Sequence, residues 1–230
     1  MTADPQVTLA PVRLDSLYDI VVSGGILMWP IAFCSVVALA YVVERSIRLR
    51  DRELGSQTYG RAILDALVAG GTSRAIETCQ REPRVLGRIL KPGLERSERP
   101  VLEREKAVED AGAREIARLN SRLRPLAIVA VLAPLLGFLG TVFGMIQAFI
   151  QIALKEGLGR PEMLAAGISQ ALVTTAAGLC VAIPAQAAYF WFRSRVDRFA
   201  RRAEDTYLEL DDALARRGAL VTVPGTGAAS

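Results

Sequence analysis

LLGFLGTVFGMIQAF, residues 135–149, is built to be buried, yet glycine recurs in it at Gly137, Gly140 and Gly144. Glycine in a helix interior costs about 1 kcal/mol relative to alanine. Three of them in one apolar run need a physical reason, and the surroundings supply it. The quoted stretch lies inside residues 125–154, thirty positions without Asp, Glu, Lys, Arg or His. Two further runs share this property: residues 20–43, twenty-four positions, and residues 163–192, thirty positions. A bilayer core of about 30 Å needs roughly 20 helical residues. A soluble protein with three very apolar core helices is the bland alternative, but its apolar residues would fall in shorter runs. The sequence therefore predicts an all-α integral membrane protein with three transmembrane helices.

The flanks of these runs set the expected topology. Nineteen residues precede the first run, with Asp4, Asp15 and Asp19 against a single Arg13, unlike the basic start of a cleaved signal peptide. Residues 44–124 carry eighteen Lys and Arg, the 155–162 link carries two, and the stretch after 192 carries seven. Positive charge marks the cytoplasmic side. The expected order is a periplasmic segment 1–19, span 1 at 20–43, a cytoplasmic helical region 44–124, span 2 at 125–154, a periplasmic link 155–162, span 3 at 163–192, a cytoplasmic helix 193–217 and a disordered tail 218–230. The net charge of +4 thus marks membrane faces rather than a nucleic-acid site.

Chemistry-bearing clusters are sparse. The cysteines, Cys34, Cys79 and Cys180, are too scattered for a disulfide framework, and with no histidine a structural zinc site is not expected. An intramembrane enzyme would need a nucleophile with a base, paired acids or metal ligands; the runs offer none, so neither enzymatic activity nor a metal or other cofactor is expected.

The polar regions read as helices. Pro83, Pro92 and Pro100 divide 44–124 into segments. In 101–124, Leu102, Val108, Ala111, Ile116, Leu119 and Leu123 approximate a helical stripe that runs toward span 2 with a bend near Pro125. Beyond span 3, Val196, Phe199, Ala203, Tyr207, Leu210 and Leu214 keep the same spacing. Tyr189, Phe190 and Trp191, just before Arg193, form an interfacial belt.

The glycines now find a place. At 100° per residue, Gly137, Gly140, Thr141, Gly144, Gln147, Ala148 and Gln151 share an arc of about 120°. Phe138, Val142, Phe143, Ile146 and Phe149 fill the rest. Span 3 is divided likewise. Gln170, Thr174, Ala177, Val181 and Ala185 form one stripe, flanked by Gly167, Ala171, Thr175, Gly178 and Ala182. Within lipid there is little hydrophobic drive between helices, so close packing and hydrogen bonds hold them. Two uses fit these faces: plain helix packing, or the wall of a narrow passage that clasps another helix.

The segments APLLGFLGTVFGMIQAF (133–149) and GISQALVTTAAGLCVAIPAQAAYF (167–190) resemble the paired signature of the MotA/TolQ/ExbB proton-channel family, nearest its ExbB/TolQ branch. The shared cores are Gly-x-x-Gly-Thr-Val-x-Gly in span 2 and Ala-Leu-x-x-Thr-x-x-Gly-Leu-x-x-Ala-Ile-Pro-Ala in span 3. The likeness covers about residues 20–200 and is strongest over 126–192. It implies a ring in the bacterial inner membrane, a homo-oligomer that is pentameric in the ExbB type. Spans 2 and 3 would line a pore around a pair of single-span ExbD/TolR-like helices. A carboxylate on that partner would carry protons down the proton-motive force, and work would pass to a TonB- or TolA-like protein. The pore threonines match Thr141 and Thr175, with Thr174 and Gln170 extending the lining. Gly137, Gly140, Gly144 and Gly178 would serve helix packing and a smooth pore wall. Many members carry a glutamate where this chain has Gln170. A glutamine cannot ionise, so the essential acid is expected on another polypeptide. The alternatives are a non-conducting scaffold that gathers partner helices, and a flagellar-stator-like subunit, which would bring a fourth span and a larger cytoplasmic domain.

Overall fold

The structure, a computed structural model, describes residues 25–49, 51–154 and 161–221. Seven helices account for nearly all of them: α1 Met28–Arg48, α2 Asp51–Leu54, α3 Gln57–Arg81, α4 Val85–Glu95, α5 Val101–Ser121, α6 Arg124–Leu154 and α7 Pro161–Val221. Three stretches, Met28–Arg48, one within Val101–Ile150 and one within Gly167–Arg217, are long and apolar enough to cross a membrane. At 1.5 Å per residue the 21 residues of α1 span about 31 Å, a bilayer core's thickness. The chain is an all-α, multi-pass membrane protein. Residues 1–24, 155–160 and 222–230, which hold the N-terminal segment, most of the link and most of the tail, lie outside the described residues.

The chain divides into two compact units. The first joins residues up to Ala40 with Leu126–Ala187. In it α1 buries Met28, Ile31, Cys34 and Ala38, one helical stripe, and leaves Trp29, Phe33, Val36 and Leu39 exposed. On α6, Phe138, Val142, Ile146 and Phe149 are exposed in the same way. Contiguous bare apolar surface of this extent marks faces meant for lipid or for another protein.

The second unit joins Tyr41–Pro125 with the chain from Ala188 onward. Its core packs Ile63 and Leu67 of α3, Leu86, Leu90 and Leu94 of α4, Val108 of α5, and Phe199, Leu210 and Leu214 of α7. The stripe expected from 196 to 214 is the buried face of α7, with Tyr207 packed against its edge. Tyr59 sits in this core, donating from its hydroxyl to the Glu82 carbonyl at 2.7 Å, and burial pushes its pKa up to about 12. Burial likewise raises the Cys79 thiol to about 11.

Several local expectations differ from what is found. Leu102 is 75% exposed, and the inward position of that turn belongs to Arg104, which is 7% exposed. Its Nη2 donates to Asp211 Oδ1 at 2.7 Å and its Nη1 to the Ser97 carbonyl at 3.1 Å. Pro83 and Pro100 do separate helices, but α4 runs through Pro92, because the buried Ile89, Leu90, Gly93 and Leu94 around it pin that turn. Proline there removes one backbone bond, which packing offsets. The α5 helix ends at Ser121, and α6 starts afresh at Arg124 with Pro125 in its first turn, where a missing N–H is harmless. The α7 helix also continues to Val221, past the expected start of a disordered tail at 218.

A break that no proline marks occurs inside α3. Gly71 has φ 79° and ψ −174°, outside helical space and open to glycine alone at low cost. A Cβ there would stand 2.9 Å from Arg217 Nη2. Arg217 Nη1 donates to the Leu67 carbonyl at 2.6 Å, satisfying a group near the break.

Candidate functional site

The expected site residues meet along the contact between α6 and the first half of α7, within the first unit. The two helices touch through a seam of small residues in antiparallel register. A Cβ built on Gly178 would stand 2.6 Å from the Ala133 carbonyl oxygen and 3.1 Å from the Gly137 Cα. One built on Gly137 would stand 3.1 Å from the Thr175 Cα. Gly140 faces the side chain of Thr174, Gly144 faces Ala171, and Gly167 faces Ala148. Real Cβ atoms do not occupy such space, so backbone lies directly on backbone. Gly137, Gly140, Gly144 and Gly178 are all buried in this seam. Their helix-propensity cost is offset by close approach, the arrangement that membrane helices favour.

The threonines are placed differently from one another. Thr175 Oγ1 donates across the seam to the Gly137 carbonyl at 3.0 Å. Thr174 is 1% exposed and donates to the Gln170 carbonyl, one turn back, at 2.8 Å. Thr141 lies at the seam's margin, half-buried, and donates within its own helix to the Phe138 carbonyl at 2.6 Å. Each hydroxyl proton is therefore committed to a backbone carbonyl, while each oxygen keeps acceptor capacity.

Gln170 and Gln147 line one small recess, together with Gly140, Gly144 and Ile26. Gln170 also packs against Gly25, just ahead of α1, so its amide helps to seat that helix. The sequence gives no sign of the Gly25 contact, because the two residues are separated by most of the chain. The arrangement is neutral throughout: small surfaces, three hydroxyls and two amides, with no carboxylate, amine or imidazole on either facing stripe. It can accept hydrogen bonds and admit water. It cannot ionise at physiological pH.

Comparison with known proteins bears on these same helices. A family model described as the MotA/TolQ/ExbB proton channel family matches residues 81–205. The biopolymer transport protein exbB1 of Vibrio cholerae is 33% identical over 210 residues, covering 84% of this chain and 86% of that protein. The biopolymer transport protein ExbB of Xanthomonas campestris pv. campestris is 33% identical over 164 residues, 71% of this chain but 60% of the relative's length. The Tol-Pal system protein TolQ of Haemophilus influenzae is 40% identical over 92 residues, 40% of each chain.

Proposed function

Because this chain belongs to the MotA/TolQ/ExbB proton channel family, we propose that it is the ring-forming inner-membrane subunit of a motor driven by the proton-motive force, of the ExbB/TolQ type. Copies of the chain, five in this reading, surround a single-span ExbD/TolR-like partner whose carboxylate takes up and releases the protons. The N-terminus faces the periplasm and the C-terminus the cytoplasm, as the Lys and Arg distribution favours. Work passes outward through a TonB- or TolA-like protein.

The observation that carries this reading is the neutrality of the seam. Moving one charge across 100 mV is worth about 2.3 kcal/mol, and a coupling device must carry that charge somewhere. Neither the apolar half of α7 nor the apolar run of α6 holds an Asp, Glu, Lys, Arg or His. What they offer is acceptor oxygens on the half-buried Thr141 and Thr175 and amides on Gln147 and Gln170, fit to solvate a protonatable group brought by another helix, while Thr174, 1% exposed, supports them from within the packing. Gly137, Gly140, Gly144 and Gly178, taken up by the contact between α6 and α7, hold the two helices close enough to present those groups as one wall rather than forming its free surface.

Thr141→Val and Thr175→Val test the roles, since each keeps shape and removes a hydroxyl. Thr175→Val removes an interhelical membrane hydrogen bond, worth about 0.6 kcal/mol on average, and Thr141→Val only one within its own helix, so both variants should fold. Coexpressed with a single-span partner bearing one membrane aspartate, the native chain should copurify with it and support proton uptake into proteoliposomes. The valine variants should bind the partner and lose most of the uptake. Wild-type uptake no greater than that of empty vesicles would favour a non-conducting scaffold, and normal uptake in both variants would remove the threonines from the pathway.

A further inference from the structure

Outside the seam, the second unit holds a recess of about 220 Å³ with an unbalanced lining. Arg45, Arg48, Arg88, Arg118 and Arg122 face it against two carboxylates, Glu53 and Glu115. Glu115 is engaged by Arg88, whose Nε and Nη2 donate to its two oxygens at 3.0 and 2.9 Å. The hydrogen bond from Arg88, with the charges of Arg88, Arg118 and Arg122 around it, holds the Glu115 carboxyl below its usual range. Glu44 approaches from the side, 3.3 Å from Arg45 and 3.2 Å from Arg48. Even with Glu44 counted, five guanidinium groups meet three carboxylates.

Arg45 is the telling member. It is 6% exposed, and its Nε is buried without a hydrogen-bond partner. Its Nη2 is paired with Glu44, but the Nε donor is not, and an unpartnered donor on a buried guanidinium is costly. The planar fork of arginine suits phosphate oxygens, which accept two parallel hydrogen bonds. Position along the chain narrows the source. Arg45 and Arg48 come directly after the first apolar run, and Arg122 comes three residues before the second. By chain position the cluster thus flanks the ends of two apolar runs, where basic residues recruit anionic lipid.

We propose that this recess binds a phosphate group, and that an anionic phospholipid supplies it. The site is independent of the seam and needs no proton movement. The test uses the full chain in detergent micelles, with lipid binding titrated by native mass spectrometry. Phosphatidylglycerol should bind at least about tenfold more tightly than phosphatidylcholine of the same chain length, a difference of about 1.4 kcal/mol. The Arg118→Gln/Arg122→Gln variant, changed at less buried positions to spare the fold, should weaken phosphatidylglycerol by about tenfold or more. The Arg99→Gln/Arg201→Gln variant, altered at exposed arginines outside the recess, should bind as the native chain does. A parallel thermal-unfolding series with inorganic phosphate, against chloride at equal ionic strength, separates the sources. An arginine-dependent shift with phosphate and no preference for phosphatidylglycerol would overturn the lipid source. Equal loss in both double variants, or no preference with either probe, would overturn the site.

Discussion

Gly178→Ala puts the seam to a direct test. The added Cβ would lie 2.6 Å from the Ala133 carbonyl oxygen and 3.1 Å from the Gly137 Cα. Carbon–oxygen contacts normally begin near 3.3 Å, so the clash is roughly 0.7 Å deep. Both obstacles are backbone, so no side chain can rotate away and the helices must separate. Separation of that size carries the Thr175 Oγ1 to Gly137 bond from 3.0 Å to beyond ordinary hydrogen-bond range. Overpacking costs about 1–3 kcal/mol, against about 1 kcal/mol gained in helix propensity. With the lost hydrogen bond counted at about 0.6 kcal/mol, the expected net loss is about 0.6–2.6 kcal/mol by that arithmetic. Gly112→Ala is the control, because a Cβ there meets only Ile89 Cγ2, at 3.8 Å. It should be neutral or stabilising by up to about 1 kcal/mol. Unfolding in micelles followed by the fluorescence of Trp29 and Trp191 measures both. If Gly178→Ala matches the native chain while Gly112→Ala behaves as stated, the two backbones do not touch as described and the seam argument fails.

Three further outcomes follow from the second unit. Asp211→Ala strands the nearly buried Arg104 and should cost about 3 kcal/mol, whereas Arg104→Met with Asp211→Leu should recover most of it in a double-mutant cycle of unfolding. Glu115 has a lowered pKa, so its contribution is present above the unfolded value near 4.3 and is lost as pH falls through the folded value. Glu115→Gln should therefore flatten the acid limb of a stability-against-pH curve and reduce stability at neutral pH. Cys79, buried and with its thiol raised to about 11, should resist a water-soluble maleimide at pH 7 until denaturant is added; labelling at the rate of a free thiol would contradict its burial.

The apolar runs made three spanning helices legible because lipid imposes a length and an absence of charge that no packing detail overrides. The stripe from Val196 to Leu214 was legible for a similar reason: its period is set by helix geometry alone. The glycine face of α6 could be read, but its counterpart could not be fixed. Either packing or a passage satisfied the pattern, and the antiparallel register of Gly137 on Thr175 depends on a neighbour 38 residues away. The inward turn of Arg104 was hidden because a charged side chain is buried only if a partner awaits it, and Asp211 lies 107 residues along the chain. The break at Gly71 did have a signal, since Gly70 and Gly71 form a glycine pair of the kind that marks turns, but only the guanidinium beside Gly71 shows that the chain bends there.

That guanidinium ties two distant pieces of chain into one fate. Arg217 stands in the closing turns of α7, and the carbonyl it secures is 150 residues earlier, at the bend of α3. A stop codon at 211 would remove far more than a frayed end. It would uncap Leu67, withdraw Leu214 from the core, and let the second half of α3 come loose from a hinge it no longer has reason to keep. The last helical residues thus act as a clasp, and their loss should be felt first in a part of the molecule they do not adjoin in sequence.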